Sequence, residues 1–213
     1  MRGQAEALAA LLTLGVEAEI VEFLSLPDQC VTDLLLEGCD ETLRTLANVI
    51  SEWEPTHLLM PSAADTHPDH SGLAVLLGIA IDDYLPRQQA MTQLHYLVHG
   101  TSQSFAREAD ELLSSPLEKK IKGRAIFCHV TQVALSRRPF LAYEKRPESF
   151  VISDRKTIRA CDGPIRSFLR DRGELRLHVA FTLKPLRAEG ASLYLLGHDE
   201  NGDLRRLRTT LPG

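Results

Sequence analysis

Residues 56–85 constrain this chain most, because they set a short apolar strand directly before a long apolar helix. Thr56-His57-Leu58-Leu59-Met60-Pro61 is a compact apolar run between prolines 55 and 61, the pattern of a short buried strand. After the loop Ser62–Thr66, Pro68 fits the first position of a helix, where its missing N–H costs nothing. Leu73, Val75, Leu76, Leu77, Ile79 and Ala80 keep that helix apolar almost all round until Pro86, so it belongs in the interior of an α/β domain.

The junction between the two elements reads Asp65-Thr66-His67-Pro68-Asp69-His70. Pro68 pushes His67 toward an extended backbone, so His67 projects from the loop while His70 sits in the first helical turn. Asp69, in the same turn, favours the positive end of the helix dipole and is placed to orient an imidazole. Ligands of open α/β sheets bind at the carboxyl ends of strands, and this box lies at one. Two histidines three apart with a carboxylate between them form half of a hydrolytic zinc site. The plain alternative stands beside it. With eight histidines in 213 residues, a single His-x-x-His pair carries little by itself, and a histidine at a helix start can simply cap it. No second cluster of His and Asp supplies the remaining ligands.

Four elements in order resemble the PIG-L/LmbE family of zinc-dependent N-acetylglucosamine deacetylases. Asp65, His67, Pro68, Asp69 and His70 look like that family's second motif. Upstream, Glu6, Leu14-Gly15-Val16 and Phe23-Leu24-Ser25-Leu26-Pro27-Asp28 are similar to its helix, strand and "fLxLPD" loop. Downstream, Lys122, Ala125, His129, Thr131 and Gln132 resemble its "KxxAxxxHxSQ" helix, and Glu148-x-Phe150 its "ExF". The likeness covers about the first 150 residues and implies a Rossmann-like three-layer α/β/α fold with a mostly parallel sheet. The family's opening His-Pro-Asp-Asp box has no counterpart, so the expected domain is N-terminally truncated by roughly 50 residues, a βαβ-sized piece. A misplaced start, a fragment and a true short form all remain open.

The resemblance also implies roles. His70 is the zinc ligand this box supplies, through a neutral ring nitrogen. His67 is catalytic: it stabilises the tetrahedral oxyanion and protonates the leaving amine. Asp69 is catalytic through His67, holding that ring in the right tautomer. His129 lines the substrate pocket. The implied reaction removes the N-acetyl group from a small-molecule amino sugar conjugate, with Zn2+ as cofactor. With the first motif lost, the metal keeps one ligand and its water loses the base, so this chain is expected to be inactive as written. A non-catalytic binding or interaction protein on the same fold is the alternative.

A net charge of −5 and a pI near 5.9 leave no electrostatic footprint for nucleic acid. Arg205-Arg206-x-Arg208 reads as a solvated strand face. Cys30, Cys39, Cys128 and Cys161 show neither CxxC nor metal spacing and read as free thiols of a reducing, cytoplasmic protein, with disulfides left open. Ala7–Val16 reads as a helix stopped by Gly15 rather than a signal peptide, before a strand Ala18–Phe23. No run approaches the 18 or so apolar residues that would cross a membrane.

Elsewhere, Asp40 is placed to cap a helix burying Leu43, Leu46, Ala47 and Ile50, ended by Pro55. Leu94–Val98 reads as a strand carrying His95 and His99 on one face, both structural unless a third partner converges. Glu118–Leu135 reads as one helix whose basic first turns need tertiary compensation. The deacetylase-like domain is assigned to residues 1–150 and a β-rich extension to 151–213. In the extension, Asp162-Gly163-Pro164 starts a short helix ended by Gly173, and Leu175–Leu183 and Ser192–Leu196 are strands. Asn201-Gly202 turns into a returning strand Leu204–Thr210. The extension is suited to covering the catalytic edge, binding carbohydrate or forming a homo-oligomer, with no motif to choose among these.

Overall fold

The computed structural model describes residues 2–85, 91–100, 103–153, 165–171, 174–179, 192–199, 201 and 203–210. It is a mixed α/β protein that divides into two compact units, Met1–Pro27 with Ala109–Phe150, and Asp28–Glu108 with Val151–Gly213.

In the first unit, α1 (Arg2–Thr13) ends where Gly15, at φ +89°, lets Val16 N–H reach back to the Leu11 carbonyl. A 3-10 turn over Ala18–Ile20 replaces the expected strand; it is closed by Val21 N–H donating to the Ala18 carbonyl. The single helix expected over Glu118–Leu135 is two, α6 (Pro116–Cys128) and α7 (Val130–Ala142). The break falls at His129, whose ψ of 64° is not helical. Neither Pro nor Gly marks it; Glu6 does, by accepting the Thr131 N–H (3.2 Å) and hydroxyl (2.6 Å) at the new N-terminus. Ser115 and Glu118 form a reciprocal capping box at the start of α6. Its basic first turns are compensated where Lys122 pairs with Glu148 and donates to the Arg146 carbonyl. β3 (Asp110–Leu112) runs antiparallel to the first half of β4 (Glu148–Ser153).

The second unit holds the strand-to-helix junction. β1 (His57–Pro61) pairs in parallel with β2 (Thr92–Tyr96), and the Val151–Ser153 end of β4 follows β2 in the sheet. α2 (Val31–Glu37) and α3 (Asp40–Trp53) pack on α4 (Pro68–Tyr84), which packs on β1; α5 spans Gln103–Glu108. Leu43 and Leu76 are 0 % exposed and Met60 2 %, each burial contributing about 1.5–3 kcal/mol. The expected α3 face (Leu43, Leu46, Ala47, Ile50) is the buried one, but Cys39 is the N-cap and Asp40 the first helical residue. Gly72 is buried where the α2 backbone crosses α4: a Cβ there would lie 3.2 Å from the Thr32 nitrogen.

Residues 165–171, expected as a helix, form β5 (Ile165–Asp171), paired antiparallel with β6 (Glu174–Val179). Ile165, Phe168 and Leu169 carry a helical spacing, and hairpin pairing with the next segment overrides it. Cys161 and residues 180–183 lie outside the described residues. β7 (Ser192–His198) and β8 (Leu204–Thr210) make the expected second hairpin, with five residues rather than two between the paired His198 and Leu204. Asp199 organises that loop by accepting from the Asn201 and Asp203 amides. Arg206 is not solvated: it donates to the Leu35 carbonyl at 2.9 Å and to Cys39 Sγ at 3.1 Å. Cys30, Cys39 and Cys128 are free thiols. Among the described residues no helix is long and apolar enough to cross a membrane.

Candidate functional site

The site begins where β1 ends. Ser62 N–H continues the ladder onto the Tyr96 carbonyl (2.8 Å), and the chain then curls so that Asp65 N–H returns to the Ser62 carbonyl. That curl buries the Asp65 side chain, leaving the residue 5 % exposed. A buried carboxylate needs donors, and Asp65 has four. Its Oδ1 accepts from the His67 amide (2.9 Å), and its Oδ2 from the Val98 amide (3.0 Å), the His99 amide (3.1 Å) and His70 Nδ1 (3.0 Å). Burial by itself would raise its pKa; the amides of His67 and Val98, the His70 ring and the His99 amide outweigh it and hold the carboxyl below its ordinary value.

His67 caps α4 in the extended conformation expected of a residue before proline (φ −80°, ψ 125°), with Pro68 at the first helical position. Its Nδ1 accepts the Asp69 backbone N–H at 3.2 Å. The Asp69 carboxylate does not orient an imidazole. It accepts from the Gln29 amide at 2.6 Å and the Val31 amide at 3.1 Å, pinning the start of α2. The orienting carboxylate in this structure is Asp65, and the ring it orients is His70.

These bonds give the two histidines opposite tautomers. A carboxylate only accepts, so neutral His70 carries its proton on Nδ1 and keeps a lone pair on Nε2. An N–H only donates, so neutral His67 has its lone pair on Nδ1 and its proton on Nε2. The assignment follows from the hydrogen-bond network. One ring offers an acceptor, the other a donor, with ring centroids 4.9 Å apart.

A third imidazole joins them. The centroid of His99 lies 5.3 Å from that of His67 and 5.1 Å from that of His70. β2 stops at Tyr96, so His99 stands in the following loop and does not share a strand face with His95. The loop is latched by Asp65 and by Thr66 N–H donating to the His99 carbonyl (3.3 Å). Gly100, at φ +90°, completes the turn; a Cβ on it would come within 2.6 Å of Thr66 Cγ2. His95 instead hydrogen-bonds Ser153 Oγ at 2.9 Å, and burial lowers its pKa. His129 sits in the first unit, between α6 and α7.

A catalytic zinc takes three protein ligands and keeps one open position. Among the described residues no group of three or more His, Cys, Asp or Glu side chains is poised to hold a metal ion. His70 alone has the buried carboxylate partner typical of a metal-bound imidazole. The described residues therefore do not fit a complete zinc site, and no step is routed through the metal.

No protein-family model matches the chain, and no curated protein matches it significantly. Among solved structures, the conserved protein TT1542 from Thermus thermophilus is similar at 17% identity, over 75% of each chain, with a TM-score of 0.51. That likeness shows the fold alone. The zinc-inhibited form of teicoplanin deacetylase Orf2 aligns at 15% identity over 71% of this chain and 73% of that one, with a TM-score of 0.48. A triple mutant deacetylase of the teicoplanin biosynthetic pathway aligns at 14% identity over 71% and 70%, with a TM-score of 0.47. Likeness at that level is too loose to assign anything to this chain.

Proposed function

We propose that the Asp65–His70 box is the working part of an N-deacetylase site, of the zinc-dependent kind that removes the acetyl group from a small-molecule N-acetylated amino sugar conjugate, of whose metal ligands the described residues prepare one, His70. The observation that carries this reading is the opposite tautomer pair at His67 and His70. Amide hydrolysis adds the oxygen of water to the acetyl carbon and breaks the C–N bond. Acetate leaves, and the nitrogen gains a proton. The carbonyl oxygen becomes an oxyanion on the way and needs a donor; the nitrogen then needs an acid. His67 Nε2–H is built for both, its ring held by the Asp69 amide and its seat at the helix start by Pro68. His70 presents the complementary lone pair, fixed by Asp65. The order of the four sequence elements supports the amino sugar class.

A non-catalytic binding protein on the same framework is the second reading, favoured by the donor set, in which one imidazole rather than three side chains is prepared for a metal. Acetate release from N-acetylglucosamine conjugates in the presence of Zn2+ separates the two. Under the enzyme reading wild-type protein releases acetate, and His67→Ala and His70→Ala each lower kcat/KM by about 100-fold or more. Saturable binding of a conjugate with no acetate released supports the binding reading and overturns the first.

A further inference from the structure

We propose that the cleft between α2 and the β7–β8 hairpin, within the second unit, binds a neutral carbohydrate of one or two pyranose rings. It uses no residue of the Asp65–His70 box. The cavity measures about 390 Å3 and is lined by Asp33, Leu36 and Glu37 from α2, Tyr194 from β7, and Arg206 and Arg208 from β8. Strand register builds the hairpin wall. Tyr194 and Arg208 are direct partners, and Arg206, two residues before Arg208, stands on the same face. On the helix, Asp33 and Glu37 are four apart and share one side.

The hairpin wall is held in place by its own bonds. Arg206 donates to the Leu35 carbonyl at 2.9 Å and to Cys39 Sγ at 3.1 Å. Arg208 donates from Nε to Ser192 Oγ at 3.1 Å, with its guanidinium carbon 5.7 Å from the centre of the Tyr194 ring. Side chains fixed in advance lose less freedom when a ligand arrives. Among the described residues neither guanidinium pairs with Asp33 or Glu37. Two acids and two guanidiniums therefore face one cavity without bonding each other.

That arrangement restricts the ligand. Carboxylates only accept and guanidiniums only donate, and both arginines keep N–H groups unspent. A ligand between the walls has to donate to one and accept from the other, and a hydroxyl does both from a single oxygen. An anion is opposed by the two acids and a cation by the two guanidiniums. Tyr194 and Leu36 supply apolar surface for the C–H face of a sugar ring, and the volume is that of a small-molecule pocket. Covering the catalytic edge, binding carbohydrate and self-association were the roles open to the C-terminal extension; this cleft selects the second.

The test titrates the full 15N-labelled chain with cellobiose, maltose and lactose in turn. None carries an amide, so the outcome is independent of any deacetylation. With at least one of them, the Arg206 and Arg208 Nε–H signals and the Tyr194 amide are expected to shift together and saturate. Tyr194→Ala should weaken that binding by about tenfold or more. Glu37→Ala, at an exposed helical position that leaves the hairpin intact, should weaken it by about threefold. Thr209→Ala, on the other face of β8, should leave it unchanged. No saturable shift with any of the three sugars, or wild-type affinity in Glu37→Ala, overturns the proposal. Tighter binding of inorganic phosphate at the same signals would mark an anion site and overturn it as well.

Discussion

Each unit of the molecule is organised around one acid, and the two acids do different things. Glu6 in the first unit accepts the Thr131 amide and hydroxyl, with Arg2 nearby at 3.7 Å. All its partners are backbone, hydroxyl or guanidinium, and the result is a helix start fixed in place. Asp65 in the second unit also gathers amides, those of His67, Val98 and His99, but its fourth partner is the His70 ring. That one bond converts a structural hub into a chemical one, because fixing a proton on Nδ1 fixes a lone pair on Nε2. Asp69 makes the same point from within the site. It sits between two histidines, yet among the described residues its carboxylate accepts from the Gln29 and Val31 amides. A carboxylate among histidines is a site component only when an imidazole is its partner.

Removing each hub breaks the comparison in a different way. Asp65→Ala removes the acceptor shared by the His67, Val98 and His99 amides and the His70 ring; at about 1–3 kcal/mol for each hydrogen bond to a buried charge, a loss of about 3–5 kcal/mol is expected in urea unfolding. Acetate release and Zn2+ binding should go with it. Glu6→Ala should cost about 1–2 kcal/mol, the scale of a lost helix cap, and leave the Zn2+ affinity of the folded fraction unchanged. If Glu6→Ala weakened Zn2+ binding as Asp65→Ala does, the division of labour would be wrong. Gly100→Ala forces a side chain into the positive-φ turn behind His99, against Thr66, and should cost about 1–2 kcal/mol. The His70 tautomer should persist, because Asp65 still accepts its Nδ1–H.

The smallest effect is a pH dependence at His95, the histidine with a structural partner. Burial lowers its pKa below the ordinary 6.5, so the folded state holds it neutral. The unfolded chain takes up that proton more readily, so this contribution to stability is complete above the ordinary pKa. It is lost as pH falls through the lower folded value. Between pH 7 and 5, wild type should lose more stability than His95→Gln, whose amide can still bond Ser153. Equal losses would show that His95 titrates as an exposed imidazole.

The sequence made the β1–α4 junction legible because its signals are local. The prolines at 61 and 68 bracket the loop, and proline chemistry alone places His67 extended and His70 in the first turn. His99 was hidden for a physical reason. A spacing of four from His95 suits one strand face, and what takes His99 off the strand is a bond from Asp65, 34 residues earlier. The one local hint was Gly100, a turn residue directly after the histidine. The break between α6 and α7 was equally non-local, fixed by Glu6 from 125 residues away with no helix breaker at the junction. Asp69 misled in the opposite direction. Its position between two histidines and at a helix start suggested an orienting role, while the curl of residues 62–65 handed that role to Asp65. At residues 165–171 the helical spacing of Ile165, Phe168 and Leu169 was real, but it gave way to pairing with β6.

The central claim, that His67 and His70 hold opposite tautomers, is open to direct measurement. Long-range 1H–15N correlation spectra of 15N-labelled protein, recorded without added metal at a pH where no imidazolium signal is present, report which nitrogen of each ring carries the proton. His70 should show a protonated Nδ1 and a bare Nε2, His67 a bare Nδ1 and a protonated Nε2. The same tautomer on both rings, or a rapidly averaging mixture on either, would contradict the account.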